Sequence, residues 1–159
     1  MNVKVKKLHR DAIIPKRQTE LASGFDLYVL DACNLRFLDS PYDIQFYEYF
    51  LKPGERALIR TGIAVQMPEG LEAQVRPRSG LSLKKGLHVA LGTIDADYTG
   101  DIGVIVMNLS KELIKIPKGE RIAQLVFAPV FHNIKLDEVD DLNVTERGEG
   151  GFGSTGTSK

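Results

Sequence analysis

Residues 57–77 read ALIRTGIAVQMPEGLEAQVRP, two runs of strand-like sequence on either side of the turn Pro68-Glu69-Gly70. The first run, 57–67, predicts a pair of strands. The second run, Leu71–Arg76, alternates apolar and polar residues until Pro77 ends it. Turn signals recur about every eight to twelve residues along the rest of the chain, a spacing typical of β-sandwiches and barrels. The sequence therefore predicts an all-β fold in which antiparallel sheets pack as a jelly roll.

Three further segments complete the predicted elements. Segments 102–109 and 122–128 are apolar enough to predict strands that are covered on both faces. One short helix is predicted, with Ser79 as its cap, residues 81–85 as its body and Gly86 at its end, because serine favours helix starts and glycine favours helix ends.

Two segments stand apart from the predicted strands and helix: an aromatic segment and a glycine-rich arm. Six of the chain's twelve aromatic residues lie within residues 31–51, namely Phe37, Tyr42, Phe46, Tyr47, Tyr49 and Phe50. We interpret 31–51 as an elongated hairpin that packs on its own sheet or offers a surface to a protein partner. Residues 147–159 hold five glycines with few apolar anchors, which predicts a flexible C-terminal arm after a domain formed by residues 1–146.

Composition narrows the class of protein. A chain of 159 residues suits one domain, and its 21 basic and 21 acidic side chains argue against direct nucleic-acid binding, which usually needs a basic excess. The single cysteine, Cys33, excludes an intramolecular disulfide. The N-terminus lacks a signal-peptide core, and no apolar run reaches membrane-spanning length, so we expect a cytoplasmic protein without membrane attachment.

Segment 92–101, GTIDADYTGD, places Asp95, Asp97 and Tyr98 between glycines. Turns collect aspartate and glycine for conformational reasons, so the segment alone fits an ordinary turn. It also fits a catalytic site, because a carboxylate that binds a water molecule can deprotonate it beside an aromatic platform.

Other segments carry groups that suit a phosphorylated ligand. Arg78-Ser79-Gly80 combines a cation, a hydroxyl and a predicted helix start, which suits an anion as well as a capped helix with a solvated arginine. Gln124 is a long polar side chain in an apolar run, which fits an outward-facing strand residue, and Asp26 fits a strand-start carboxylate. The arm fits a linker, yet Arg147 can bind phosphate and Phe152 can stack on a base.

Five segments stand out in order along the chain: ASGFDL at 22–27, RPRSGL at 76–81, GTIDADYTGD at 92–101, GERIAQL at 119–125 and RGEGGFGSTG at 147–156. They resemble the five motifs of the trimeric dUTPase family, and the resemblance spans nearly the whole chain. It implies a distorted β-barrel and a homotrimer whose sites draw motifs from three subunits. It further implies hydrolysis of dUTP to dUMP and pyrophosphate by water attack on the α-phosphate, with magnesium as cofactor.

The resemblance also implies roles for individual residues. Asp95 is the base, Arg78, Ser79 and Gly80 contact phosphates, Gln124 contacts phosphates and the attacking water, and Tyr98 is a floor under the deoxyribose. The hairpin residues Val89, Ala90, Leu91, Gly92 and Thr93 contact uracil, mostly through the backbone. In the arm, Phe152 covers uracil, while Arg147, Gly153, Ser154 and Thr155 hold the γ-phosphate. Asp26 contacts a water of the magnesium ion or steadies Arg78, and no residue binds the metal directly.

The sequence departs from the family pattern at one place, and two alternative functions stay open. Segment 87–91 is shorter than is common in the family, which bears on the base contacts. A dCTP deaminase of the same fold is the first rival, and it would be expected to use a glutamate near the base. The second is a regulatory binding protein on this scaffold that uses the 31–51 insertion.

Overall fold

The computed structural model describes residues 1–33 and 48–151. These ranges hold twelve strands and one helix, α1, which spans Ser79–Lys85. In chain order, the strands are β1 (Lys4–Lys7), β2 (Phe25–Tyr28), β3 (Asp31–Cys33), β4 (Glu48–Leu51), β5 (Arg56–Arg60), β6 (Ile63–Gln66), β7 (Leu71–Arg76), β8 (Leu87–Val89), β9 (Gly92–Ile94), β10 (Gly103–Asn108), β11 (Ile114–Pro117) and β12 (Arg121–Pro129).

The strands form two four-stranded sheets, in the orders β3-β5-β10-β8 and β2-β12-β7-β9, and two smaller pairs, β1-β6 and β11-β4. All pairings are antiparallel. Buried apolar residues from both large sheets join one core, which includes Ile59, Val104, Val75 and Leu125. The predicted all-β fold with one short helix is confirmed, and within the described ranges the sheets stay open without closing into a barrel.

Within a single chain, strand β10 is covered on one face only, whereas segment 102–109 was expected to have both faces covered. Its residues alternate, so Val104, Val106 and Asn108 are buried whereas Ile105 is 45% exposed. Apolar content hid this alternation, because the outward positions carry isoleucine and methionine. Strand β12 fits the expectation better, since Leu125 and Val126, adjacent residues in its regularly paired part and so on opposite faces, are both buried.

Helix α1 begins one residue earlier than predicted. Arg78 is its N-cap, with extended backbone angles (φ −99°, ψ 124°), and its carbonyl accepts hydrogen bonds from the N–H groups of Leu81 and Ser82. Ser79 is therefore the first helical residue, and the predicted serine cap was wrong. Gly86 ends the helix as predicted, at φ +66°, and a side chain there would also lie 2.9 Å from the Ser110 Cβ.

The flanks of the aromatic insertion join different sheets. Strand β3 pairs with β5 and β4 pairs with β11, so the described ends of 31–51 do not pair as a hairpin. Residues 34–47, the centre of the proposed partner surface, lie outside the described residues. Beyond β12, most of residues 131–151 are exposed. Within the described ranges, no helix is both long and apolar enough to cross a membrane.

Candidate active site

A buried carboxylate joins two arginines where β2 meets β12. Asp26 of β2 lies opposite Gln124 of β12 in the sheet register. Its Oδ1 lies 3.3 Å from Nε of Arg78, and its Oδ2 lies 3.1 Å from Nη1 of Arg121. One carboxylate balances only one of the two guanidinium groups, so the cluster keeps a net positive charge that favours an anion.

Arg78 and Gln124 are also tied to the backbone. Pro77 ends β7, and Arg78 follows it in the turn that leads into α1. Arg78 donates a hydrogen bond from Nη1 to the carbonyl of Arg121 at 2.7 Å, and Gln124 donates from Nε2 to the carbonyl of Pro77 at 2.9 Å. Three segments that are far apart in sequence are thereby held in one arrangement.

An open cleft of about 410 Å³ adjoins this cluster, and we call it the basic cleft. Its lining residues are Arg78, Ser79, Gly80, Leu81, Lys84, Lys85 and Gln124. Lys85 is paired with Glu120 at 2.8 Å, whereas the exposed Lys84 has no ion-pair partner among the described residues. The cleft thus offers cations, a hydroxyl and an amide to a polyphosphate.

Asp95, the predicted catalytic base, lies in a different part of the chain, just after strand β9. The Tyr98 N–H donates to the Asp95 carbonyl at 3.1 Å, which closes the predicted turn, and the Asp95 side chain is exposed. The Tyr98 hydroxyl donates to the Asp101 carbonyl at 2.9 Å. Its ring lies against Gly100, where a Cβ would come within 2.7 Å of the ring Cζ. The Tyr98 side chain thus contacts the backbone at its hydroxyl and at Gly100, and the residue stays 45% exposed.

A second open cleft, of about 580 Å³, surrounds this turn, and we call it the acidic cleft. It is lined by Met67, Glu69, Leu71, Glu72, Asp95, Ala96, Asp97, Val130 and His132. Within the described ranges, no residue lines both clefts. Each chain therefore carries the two predicted groups of site residues in separate places.

The length of β7 gives the separation between the Asp95 turn and Arg78. Ile94 lies opposite Ala73, so Asp95 is next to Glu72, near the start of β7, whereas Arg78 follows its end. Six residues of extended chain span about 20 Å. A single chain does not bring the Asp95 carboxylate to the basic cleft.

The family model that matches this sequence, described as dUTPase, covers residues 37–156, more than half of the chain. The chain belongs to the dUTPase family. It is 57% identical over 160 residues to the deoxyuridine 5'-triphosphate nucleotidohydrolase of Heliobacterium modesticaldum, covering 99% of this chain and 98% of that protein.

Solved dUTPase structures share the fold. A mutant dUTPase of Staphylococcus bacteriophage 80alpha with dUpNHpp has a TM-score of 0.82 and 31% identity, covering 98% of this chain and 99% of that one. A mutant dUTPase of phage phi11 of S. aureus, solved to show the coordination of a structural Mg(II) ion, has a TM-score of 0.72 and 25% identity, covering 89% and 98%.

The hairpin residues of this dUTPase differ in what they can offer a ligand. The Val89 side chain is buried in the core, and the Ala90 N–H donates to the Ile105 carbonyl at 2.9 Å. A ligand contact at Val89 would therefore use its backbone. Leu91 is 77% exposed, and Gly92 and Thr93 form β9 at the edge of its sheet.

The predicted arm is described only at its beginning. Arg147 is exposed, and its Nε donates to the Gly150 carbonyl at 2.9 Å. Phe152, Gly153, Ser154 and Thr155 lie outside the described residues, so their predicted contacts stay predictions.

Arg121 is the site residue that sequence reasoning missed. It lies in the fourth motif, three residues before Gln124, and the same carboxylate contacts Arg121 and Arg78. A second arginine beside a phosphate-directed glutamine was an available signal, but pairing it with Asp26 requires the register of β12 against β2.

Asp26 is the described residue that the family resemblance places near a magnesium ion. Among the described residues, no group of three or more histidine, cysteine or acidic residues is placed to hold a metal. Asp26, already between two guanidinium groups, suits a contact through water better than direct ligation, and its pairing with Arg78 suits the steadying role. Magnesium that is bound mainly by phosphates and water needs no protein cage.

Proposed function

We propose that the protein hydrolyses dUTP to dUMP and pyrophosphate, which limits uracil in DNA and supplies dUMP for dTMP synthesis. The observation that carries this proposal is the cluster of Asp26, Arg78, Arg121 and Gln124 beside the basic cleft. It occurs in a chain that is 57% identical to a named dUTP nucleotidohydrolase. Phosphoryl transfer depends mainly on positioning and charge neutralisation, which this cluster supplies.

In the proposed reaction, Asp95 accepts a proton from water as the water oxygen bonds to the α-phosphorus. The bond from that phosphorus to the bridging oxygen breaks, and pyrophosphate leaves with the bonding electrons. Arg78 and Ser79 bind the phosphates, and Gln124 orients the water. Tyr98 lies under the deoxyribose, where its ring would exclude a 2′-hydroxyl.

Magnesium is the proposed cofactor, and it would neutralise charge on the triphosphate when bound. Asp26 would reach it only through a water molecule. The remaining positive charge around the phosphates comes from Arg78 and Arg121, and in the arm from Arg147.

We further propose a homotrimer with shared sites. The separation of about 20 Å between Asp95 and Arg78 along β7 supports this assembly, since a second chain can supply the missing group. A free nucleotide substrate suits a cytoplasmic enzyme that binds neither membranes nor nucleic acid directly.

The products distinguish this activity from its rivals. With magnesium present, dUTP should yield dUMP and pyrophosphate, and dCTP should yield no ammonia. Chromatography of nucleotides and an ammonia assay on the same samples measure both. Ammonia from dCTP would favour the deaminase, and tight dUTP binding without any product would favour a regulatory binding protein. The relatives named above favour neither rival.

The C-terminal arm is proposed to close over bound nucleotide. Deletion of residues 147–159 should leave the thermal unfolding midpoint nearly unchanged, because Arg147 is exposed and the segment has few apolar anchors. Turnover of dUTP should fall by at least about 10²-fold, because water would no longer be excluded and Arg147 would be lost from the phosphates.

Arg147→Gln is the matched single substitution for this deletion, with a smaller expected loss of turnover. Calorimetry and steady-state assays of both variants provide the comparison. Normal dUTP turnover by the truncated protein would rule out a role for the arm.

A further inference from the structure

The side chain of Gln124 packs against Gly24, a buried residue of the first motif. Gly24 immediately precedes β2, whose residues Phe25 and Asp26 pair with Leu125 and Gln124. The first motif and the catalytic glutamine are therefore in direct contact at the edge of the site.

A side chain at position 24 would occupy the space of the Gln124 carboxamide. A Cβ built there overlaps Oε1 of Gln124, lies 2.9 Å from its Cβ and 3.0 Å from its Cδ. Backbone conformation does not require glycine here, since Gly24 is absent from the positive-φ glycines. The requirement comes from the contact with Gln124.

The other end of the carboxamide is also held. Nε2 of Gln124 donates to the Pro77 carbonyl at 2.9 Å, so the amide is fixed between the second motif and Gly24. Oε1 is then the amide atom left to accept a hydrogen bond from water.

We propose that Gly24 is a positioning residue, whose missing side chain sets where Gln124 presents Oε1 to the attacking water. This inference rests on the proposed function for its catalytic consequence. A displaced amide leaves the phosphate contacts of Arg78 in place, so the effect falls on turnover more than on substrate binding.

Steady-state kinetics of a double-mutant cycle test this inference. Gly24→Ala should lower kcat for dUTP by about 10- to 100-fold, the scale of a misplaced catalytic group, and should change KM by less than about threefold. In a Gln124→Gly background, which removes the Cβ as well as the amide, the same substitution should lower kcat by less than about twofold. Parental kcat in Gly24→Ala, or an equal loss in both backgrounds, would overturn the proposal.

Gly103→Ala is the steric control. A Cβ at Gly103 would lie 2.7 Å from Cδ1 of Leu58, a comparable overlap in the other large sheet. It should lower the unfolding midpoint and leave kcat unchanged. An equal fall in kcat would show that any overpacked glycine reduces turnover and would overturn a specific role for Gly24.

The side-chain amide resonance of Gln124 gives a readout that needs no activity. In the unsubstituted protein, ¹⁵N relaxation should show restricted motion of this amide on the picosecond-to-nanosecond scale, and Gly24→Ala should shift its resonance. A freely rotating amide would overturn the proposal, even if Gly24→Ala does not fold. A fixed amide in a protein that does not hydrolyse dUTP would instead refute the proposed function.

Discussion

The kcat/KM for dUTP should exceed that for dCTP by about 10⁴-fold, because a site built to pair with uracil leaves polar groups unpaired when cytosine binds. UTP and dTTP should also be poor substrates by orders of magnitude. For UTP the proposed cause is steric. The hydrogen bond from the Tyr98 hydroxyl to the Asp101 carbonyl and the contact of the ring with Gly100 favour one ring position, in which the ring would exclude a 2′-hydroxyl.

Substitutions of Tyr98 test the steric part of this selectivity. Tyr98→Ala should reduce the preference for dUTP over UTP by at least about tenfold, whereas Tyr98→Phe keeps the ring and should retain most of it. Competition assays with both nucleotides in one reaction measure the ratio directly. An unchanged preference in Tyr98→Ala would remove this ring from ribose exclusion.

Replacement of the proposed base should cause the other large effect. Asp95→Asn should lower dUTP turnover by at least about 10²-fold, because an amide cannot accept the proton of the attacking water. Binding of dUpNHpp should persist, since the substitution leaves the basic cleft unchanged. Single-turnover kinetics and calorimetric titration separate the two quantities.

Asp97→Asn is the matched control for this substitution. Asp97 is exposed, lies two residues from Asp95 and lines the same acidic cleft. It should keep turnover within about threefold of the parent, because removal of a surface charge has a small effect. Asp95 would not be the base if its variant hydrolysed dUTP as fast as the Asp97 variant.

The sequence predicted the elements of this fold better than their environments. Segment 57–77 forms β5, β6 and β7 as expected, because its turns and alternation are local signals. The cap of α1 was assigned to Ser79 because serine favours caps, yet the turn after Pro77 placed Arg78 there. The face of β10 that a single chain leaves exposed could not be predicted from apolar content, because both faces of this strand carry apolar side chains.

The candidate site was predicted as a set of motifs but not as an arrangement. Local sequence identified Arg78, Asp95 and Gln124, whereas the contact of Arg121 with Asp26 depends on strand pairing across 95 positions of sequence. The separation of Asp95 from Arg78 depends on the register of β9 against β7. Long-range register of this kind carries no local signal in one sequence.

The shared site is the central claim, and complementation between inactive variants tests it most directly. Asp95→Asn and Arg78→Gln chains, each with a different affinity tag, are expressed together and purified through both tags. Light scattering should give a mass of about 53 kDa, three times the 17.6 kDa chain.

Either variant alone should hydrolyse dUTP slowly. Trimers purified through both tags contain two chains of one variant and one of the other, so about one third of their sites should combine an intact Asp95 with an intact Arg78 from different chains, and dUTP turnover should reappear at that fraction of the parental rate. Mixed trimers no more active than the separate variants would contradict a site shared between chains.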